Sequence, residues 1–259
     1  MSTKKLIKVK FYKSPVLIFL PLLNMPATSG FPLDKFHFRS DSVFEGLPKA
    51  DLEFIESKMI VSKVRKGKTV FNEGSYPSGI FYLLKGKVKK YKADREGREQ
   101  IIYVCNSGEL LGYPALLSEE TFSDSASTLE DCIIAFIPKD DFLYLLNQST
   151  TLSNRLLKNL SHEFGVLENS IAAFAHKSVR ERLALSLLIL KDKYKEKGET
   201  NKKVEIILSR EDLSNIVGTA VETLVRLLHD FKDEGLIETE GKKIRVLNAK
   251  ALVKIANFY

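Results

Sequence analysis

The sequence predicts an α+β chain: an N-terminal double-sheet jelly roll, one long helix, and a C-terminal winged helix-turn-helix. Three observations carry that expectation. Between Lys63 and Pro138, short apolar runs alternate with Gly-containing turns, as in a jelly roll or small barrel. From Leu152 to Ala175 the apolar residues step by three or four, which makes a long helix with a continuous seam. From Ser209 to Asn248, two short helical patterns meet at Gly218 and lead into a hairpin around Glu240-Gly241-Lys242.

Composition narrows the class. At 259 residues the chain can bury a sizeable core and more naturally holds two domains than one. A formal charge of +7 permits a polyanionic partner without demanding one. Two cysteines, Cys105 and Cys132, cannot build a disulfide scaffold and fit a reducing, cytoplasmic setting. No apolar tract is long enough to span a bilayer, so no membrane partner is expected.

In chain order, residues 1–40 form an irregular extension, since Pro15, Pro21, Pro26, Gly30 and Pro32 break any long helix. Its lysines and the run Val16 to Leu23 loosely resemble a signal peptide, but Pro21 interrupts the run and export is not expected. Residues 41–150 form the sensor-like roll, entered through short helices up to about Ser62. Val88 to Tyr91 and Gln100 to Val104 are its plainest hairpin, and Gly108, Gly112 and Pro114 mark an irregular connection. Residues 151–175 form the long helix. Leu156, Leu160, Phe164, Leu167, Ile171 and Phe174 are its seam, read as the contact with a twin helix in a homodimer rather than with the chain's own roll. Residues 176–259 hold a further helix, the strand Val204–Leu208, and the winged helix-turn-helix. Ser209 caps its first helix with Asp212 as capping-box partner, and Thr219 caps its second with Glu222 in the same role.

Arg210-Glu211-Asp212-Leu213, Gly218-Thr219, Glu222-Thr223-Leu224-Val225-Arg226 and Gly235-Leu236-Ile237 resemble the helix-turn-helix signature of the Crp/Fnr family of bacterial transcription regulators. The likeness extends in order from about Ser42 to Leu247. It implies a homodimer on a palindromic site in double-stranded DNA, with RNA polymerase as a further partner. By motif position, Glu222 and Arg226 read bases, which suits their chemistry. Arg donates two bonds to guanine, and a carboxylate accepts from cytosine N4. Val221 and Val225 offer apolar contact, and the Val221-Glu222-Thr223 run resembles the branch of the family whose half-site is TTGA-like. Glu222 as no more than a cap and Arg226 as a phosphate clamp remain the alternatives. Ser209, Arg210, Thr219, Thr223, Lys242 and Lys243 are the candidates for the DNA backbone.

The sensor half departs from the family pattern. Where the resemblance implies a ribose-binding Glu and a phosphate-binding Arg-Ser pair, this sequence has Tyr113 and Asp124-Ser125. A carboxylate there repels a cyclic phosphate, so cyclic AMP is not the expected effector. Tyr113, Asp124 and Ser125 remain the candidates for a pocket that takes a small molecule of unknown type, if it takes one at all. Two cysteines cannot supply the four thiolates of an iron–sulfur cluster. No metal or resident cofactor is expected; haem, which asks for as little as one axial side chain, stays open. A cupin-like enzyme would need clustered His ligands, and Lys63 to Pro138 contains no His. A cyclic-nucleotide-type module with a non-DNA output is the other alternative, disfavoured by the complete helix-turn-helix.

Overall fold

The computed structural model describes residues 33–36, 43–195 and 204–257. The expected extension over residues 1–40, with its signal-like run, lies outside them except for a 3-10 turn at Leu33–Lys35. Among the described residues, no helix is long and apolar enough to cross a membrane.

Helix α1 (Lys49–Lys58) leads into a roll of eight strands. These are β1 (Ile60–Val64), β2 (Thr69–Phe71), β3 (Gly79–Lys85), β4 (Val88–Ala93), β5 (Glu99–Cys105), β6 (Leu110–Leu111), β7 (Ser125–Thr128) and β8 (Cys132–Pro138). They form two four-stranded antiparallel sheets, ordered β1-β8-β3-β6 and β2-β7-β4-β5. The expected double-sheet roll is therefore present. Alternation along the strands explains how the first sheet is buried on both faces. Leu83, Leu111 and Ile134 join one core cluster with Val88 and Ala126 of the second sheet, while Ile80, Leu110 and Ile137 join another with the helices.

Two local expectations are corrected. Residues 60–62, read as the end of a helical entry, begin β1, whose extended backbone is fixed by pairing with β8. The stretch read as an irregular connection contains β6 and a short helix, α2 (Tyr113–Ser118). Gly112 precedes it at φ +81, where the Phe122 ring also leaves no room for a side chain.

Helix α3 (Lys139–Gln148) is followed by α4 (Thr150–His176), and Ser149 lies between them. Its N–H bonds back to Leu145 at 2.8 Å and its hydroxyl accepts from the Leu152 N–H at 3.4 Å, so one residue ends α3 and caps α4. The seam on α4 divides, which corrects the sequence reading. Leu156 is only 2% exposed and packs with Leu152 against the roll, with Leu160 beside it. Phe164 and Ile171, at 64% and 69%, stand bare, joined by Leu157 and flanked by Leu167 and Phe174. A repeat of three and four drifts by about 20° per heptad on a straight α-helix. Over the two heptads from Leu156 to Ile171 that is about 40°, which moves the later seam residues off the covered side.

The C-terminal part comprises α5 (Val179–Lys193), β9 (Glu205–Ile207), α6 (Arg210–Val217), α7 (Val221–Asp233), β10 (Ile237–Glu240), β11 (Lys243–Val246) and α8 (Ala249–Ala256). The strands form one antiparallel sheet ordered β10-β11-β9. Ser178 and Glu181 make a complete capping box on α5. Helix α8 was not anticipated, although Asn248 caps it and Leu252, Val253 and Ala256 are buried in the core shared with α5.

Candidate nucleic-acid interface and sensor pocket

The helix-turn-helix is built on Gly218. At φ +70 it ends α6, and both its N–H and that of Thr219 bond to Ser214 O, at 2.8 and 3.1 Å. Ala220, in an extended conformation, is then the residue before α7. The expected Thr219 cap is therefore wrong: two residues are spent closing α6, Ala220 has no side chain to cap with, and Glu222 falls one position early for a capping box. This frees Glu222. Helix α7 buries Leu224, Leu228 and Phe231 and turns Val221, Glu222, Val225 and Arg226 to solvent on one face. Gly235, at φ +66, follows α7, and the Leu236 N–H bonds to Phe231 O at 2.9 Å.

The backbone candidates divide by what they already hold. Thr219 and Thr223 are half-buried beside the uncapped start of α7, and Lys242 is exposed at the wing turn. Ser209 is committed to its own helix, accepting from the Asp212 N–H at 2.9 Å and donating to the Asp212 carboxylate at 2.5 Å. That is a cap, but the reciprocal bond goes to the hydroxyl rather than to the Ser209 backbone. Arg210 donates to Gly241 O at 3.0 Å, bracing the wing. Lys243 pairs with Glu205 at 3.0 Å.

In the roll, the three pocket candidates also have partners. The Tyr113 hydroxyl donates to Glu163 of α4 at 2.8 Å. Asp124 pairs with Lys90 at 3.0 Å. Ser125 stands apart, accepting the Glu73 N–H at 2.9 Å. Burial works against the Lys90 ammonium, but Asp124, Cys105 and Glu163 together hold the group above its ordinary value. Burial pushes the Glu163 carboxyl up, more than the Tyr113 hydroxyl and Lys90 pull it down. Cys105 and Cys132 are both buried, and burial raises the Cys105 thiol well above its usual range, which keeps it inert.

Sequence reading missed a second set of contacts, between the roll and the C-terminal part. Lys193 of α5 and Glu109 form an ion pair at 2.8 Å with both side chains at or below 5% exposure. Tyr103 of β5 donates to Glu109 and accepts from Lys193 at 2.6 Å. Lys89 of β4 pairs with Asp212 of α6 at 3.0 Å. The Gln100 amide of β5 donates to Asn215 O of α6 at 2.7 Å. Apart from Tyr103 and Glu109, these partners lie 84 to 123 residues apart, so no local pattern announces them.

Comparison with known proteins follows this division. Residues 61–149 match the cyclic nucleotide-binding domain family and residues 181–255 the Crp-like helix-turn-helix domain family. The fumarate and nitrate reduction regulatory proteins of Escherichia coli (strain K12) and Salmonella typhimurium are each 28% identical over 195 residues, covering 74% of this chain and 77% of theirs. FixK2 from Bradyrhizobium japonicum shares the fold with a TM-score of 0.69 at 20% identity, over 78% of this chain and 98% of its own. A CooA mutant from Carboxydothermus hydrogenoformans gives 0.68 at 17%, over 86% and 99%. The curated relatives are regulators, not enzymes. With both family modules matched in order over well over half of its length, the chain belongs to the Crp/Fnr family of transcription regulators.

Proposed function

We propose that two copies of this chain pair through α4 and read a palindromic site in double-stranded DNA, one α7 in the major groove of each half-site. The supporting observation is the solvent face of α7. Two valines stand exposed there beside an unpaired-for-capping Glu222 and an exposed Arg226, an arrangement with no structural use among the described residues. Arg226 and Glu222 read bases, Val221 and Val225 contact them, and a TTGA-like half-site is the sequence to try first. Backbone contacts fall first to Thr219, Thr223 and Lys242. Ser209, Arg210 and Lys243 would have to exchange their present partners to join them. RNA polymerase is the proposed protein partner and the cytoplasm the proposed location. The domain limits we adopt are 41–150, 151–175 and 176–259, after an extension over 1–40. Cyclic AMP is not the proposed effector, because Asp124 puts a carboxylate where a cyclic phosphate would sit, and Tyr113 and Asp124 are already engaged by Glu163 and Lys90.

The test is binding to a panel of palindromic duplexes. Arg226→Ala should cost about 1–3 kcal/mol of discrimination at one base pair per half-site. Retained preference at every position would remove the base-reading assignment.

A further inference from the structure

We propose that the apolar cavity between β5, α4 and α5 is a binding site for an uncharged, largely apolar small molecule, whose presence shifts the seat of the helix-turn-helix. The shift rests on the DNA-reading function proposed above; the binding site does not.

The cavity measures about 330 Å³, at the small end of the range that holds drug-sized ligands. Ile101 and Val104 come from β5, Leu185 and Ile189 from α5 and Ile216 from α6, while the α4 wall is Ile171 and Phe174, which the cavity shares with the seam of the proposed pairing. A space of this size suits a compact molecule.

Its polar rim selects against charge. Arg182 donates to Val217 O, Gly218 O and Lys177 O at 2.9, 3.0 and 2.8 Å, and its charge faces the negative end of α6. Lys193 is held by Glu109 and Tyr103. The Gln100 amide is committed to α6. A cation would meet the like charges of Arg182 and Lys193, and an anion would have to compete with the three carbonyls on Arg182 and with Glu109 for Lys193.

The same rim seats the reading head. The last carbonyls of a helix need partners from elsewhere. In α6, Asn215 O is satisfied by Gln100 of the roll, and Val217 O and Gly218 O by Arg182. Arg182 lies over the Phe174 ring, its guanidinium 5.4 Å from the centroid. A Cβ on Gly218 would lie 2.7 Å from that same ring. A ligand that moves β5 or the end of α4 therefore moves the turn that carries α7.

The experiment uses the full chain and the uncharged fluorophore N-phenyl-1-naphthylamine, with decan-1-ol and decanoate as competitors of equal length. Saturable binding of one probe per chain is expected, displaced by decan-1-ol at least about tenfold more effectively than by decanoate. Ser170→Phe and Ser186→Leu, which fill the cavity from α4 and α5, should each weaken the probe at least about tenfold, and either one that keeps wild-type melting suffices. A saturating probe should change the Kd for a palindromic duplex at least about threefold. Absent saturable binding, indifference to both variants, equal displacement by decanoate, or loss of the probe as chains associate would overturn the site. An unmoved duplex Kd would overturn the coupling. A wild-type chain with no duplex preference even without probe would instead overturn the DNA-reading function, while the probe titration would still decide the site.

Discussion

Lys193 is a buried charge that Glu109 and Tyr103 meet in the interior. A buried pair adds little net stability, but removing one partner leaves the other uncompensated at a cost of about 3–5 kcal/mol. Lys193→Met should therefore lower unfolding stability in urea by that amount, and adding Glu109→Gln should restore much of it, because Gln still accepts from Tyr103. Glu163 behaves differently. Burial raises its folded pKa, so ionised Glu163 opposes folding and its penalty is relieved as pH falls through the folded value toward 4.5. Tyr113, Lys90, Glu109 and His162 surround it. Glu163→Gln, which keeps an acceptor for Tyr113, should raise the melting temperature at neutral pH and flatten its pH dependence in that acidic window. Sequence reading singled out Tyr113 and Asp124 because a motif has positions, but it missed their partners Lys90 and Glu163. Those come from other elements, and only folding brings them to the same place.

At the scale of elements, α4 serves two masters, and its faces are separable by mutation. Leu156→Ala on the roll side should cost about 2–5 kcal/mol of stability, as for other fully buried leucines. Ile171→Glu on the bare side should leave the folded protomer intact and shift sedimentation from dimer to monomer. If Ile171→Glu unfolds the chain without changing its association, the twin-helix pairing is wrong. The helix itself was legible because a run of spaced leucines has no other stable use. Its division into a covered and a bare part was not legible, since a periodicity gives spacing but not where along the helix the roll ends its cover. The start of α7 was misread for a related reason. Thr219 followed by Glu222 spells a capping box, but whether Thr219 is free to cap depends on how many residues Gly218 needs to close α6.

For the whole molecule, the roll and the reading head meet through Lys89–Asp212, Gln100–Asn215 and Glu109–Lys193, so each protomer presents α7 in an orientation fixed by its own roll. Two such protomers related by a two-fold axis must place their α7 helices about 34–36 Å apart to reach successive major grooves. The two-fold also doubles every phosphate contact, and salt dependence counts those contacts directly. Each neutralised phosphate contributes about −0.9 to the slope of log K against log salt. Lys242→Ala removes one exposed wing cation per chain. On a full palindrome it should reduce the slope by about 1.8, on an isolated half-site by about 0.9, and in both cases it should weaken all sequences alike. Equal changes on the two duplexes would mean that one protomer alone engages DNA, and a change in sequence preference would move Lys242 from the backbone to the bases.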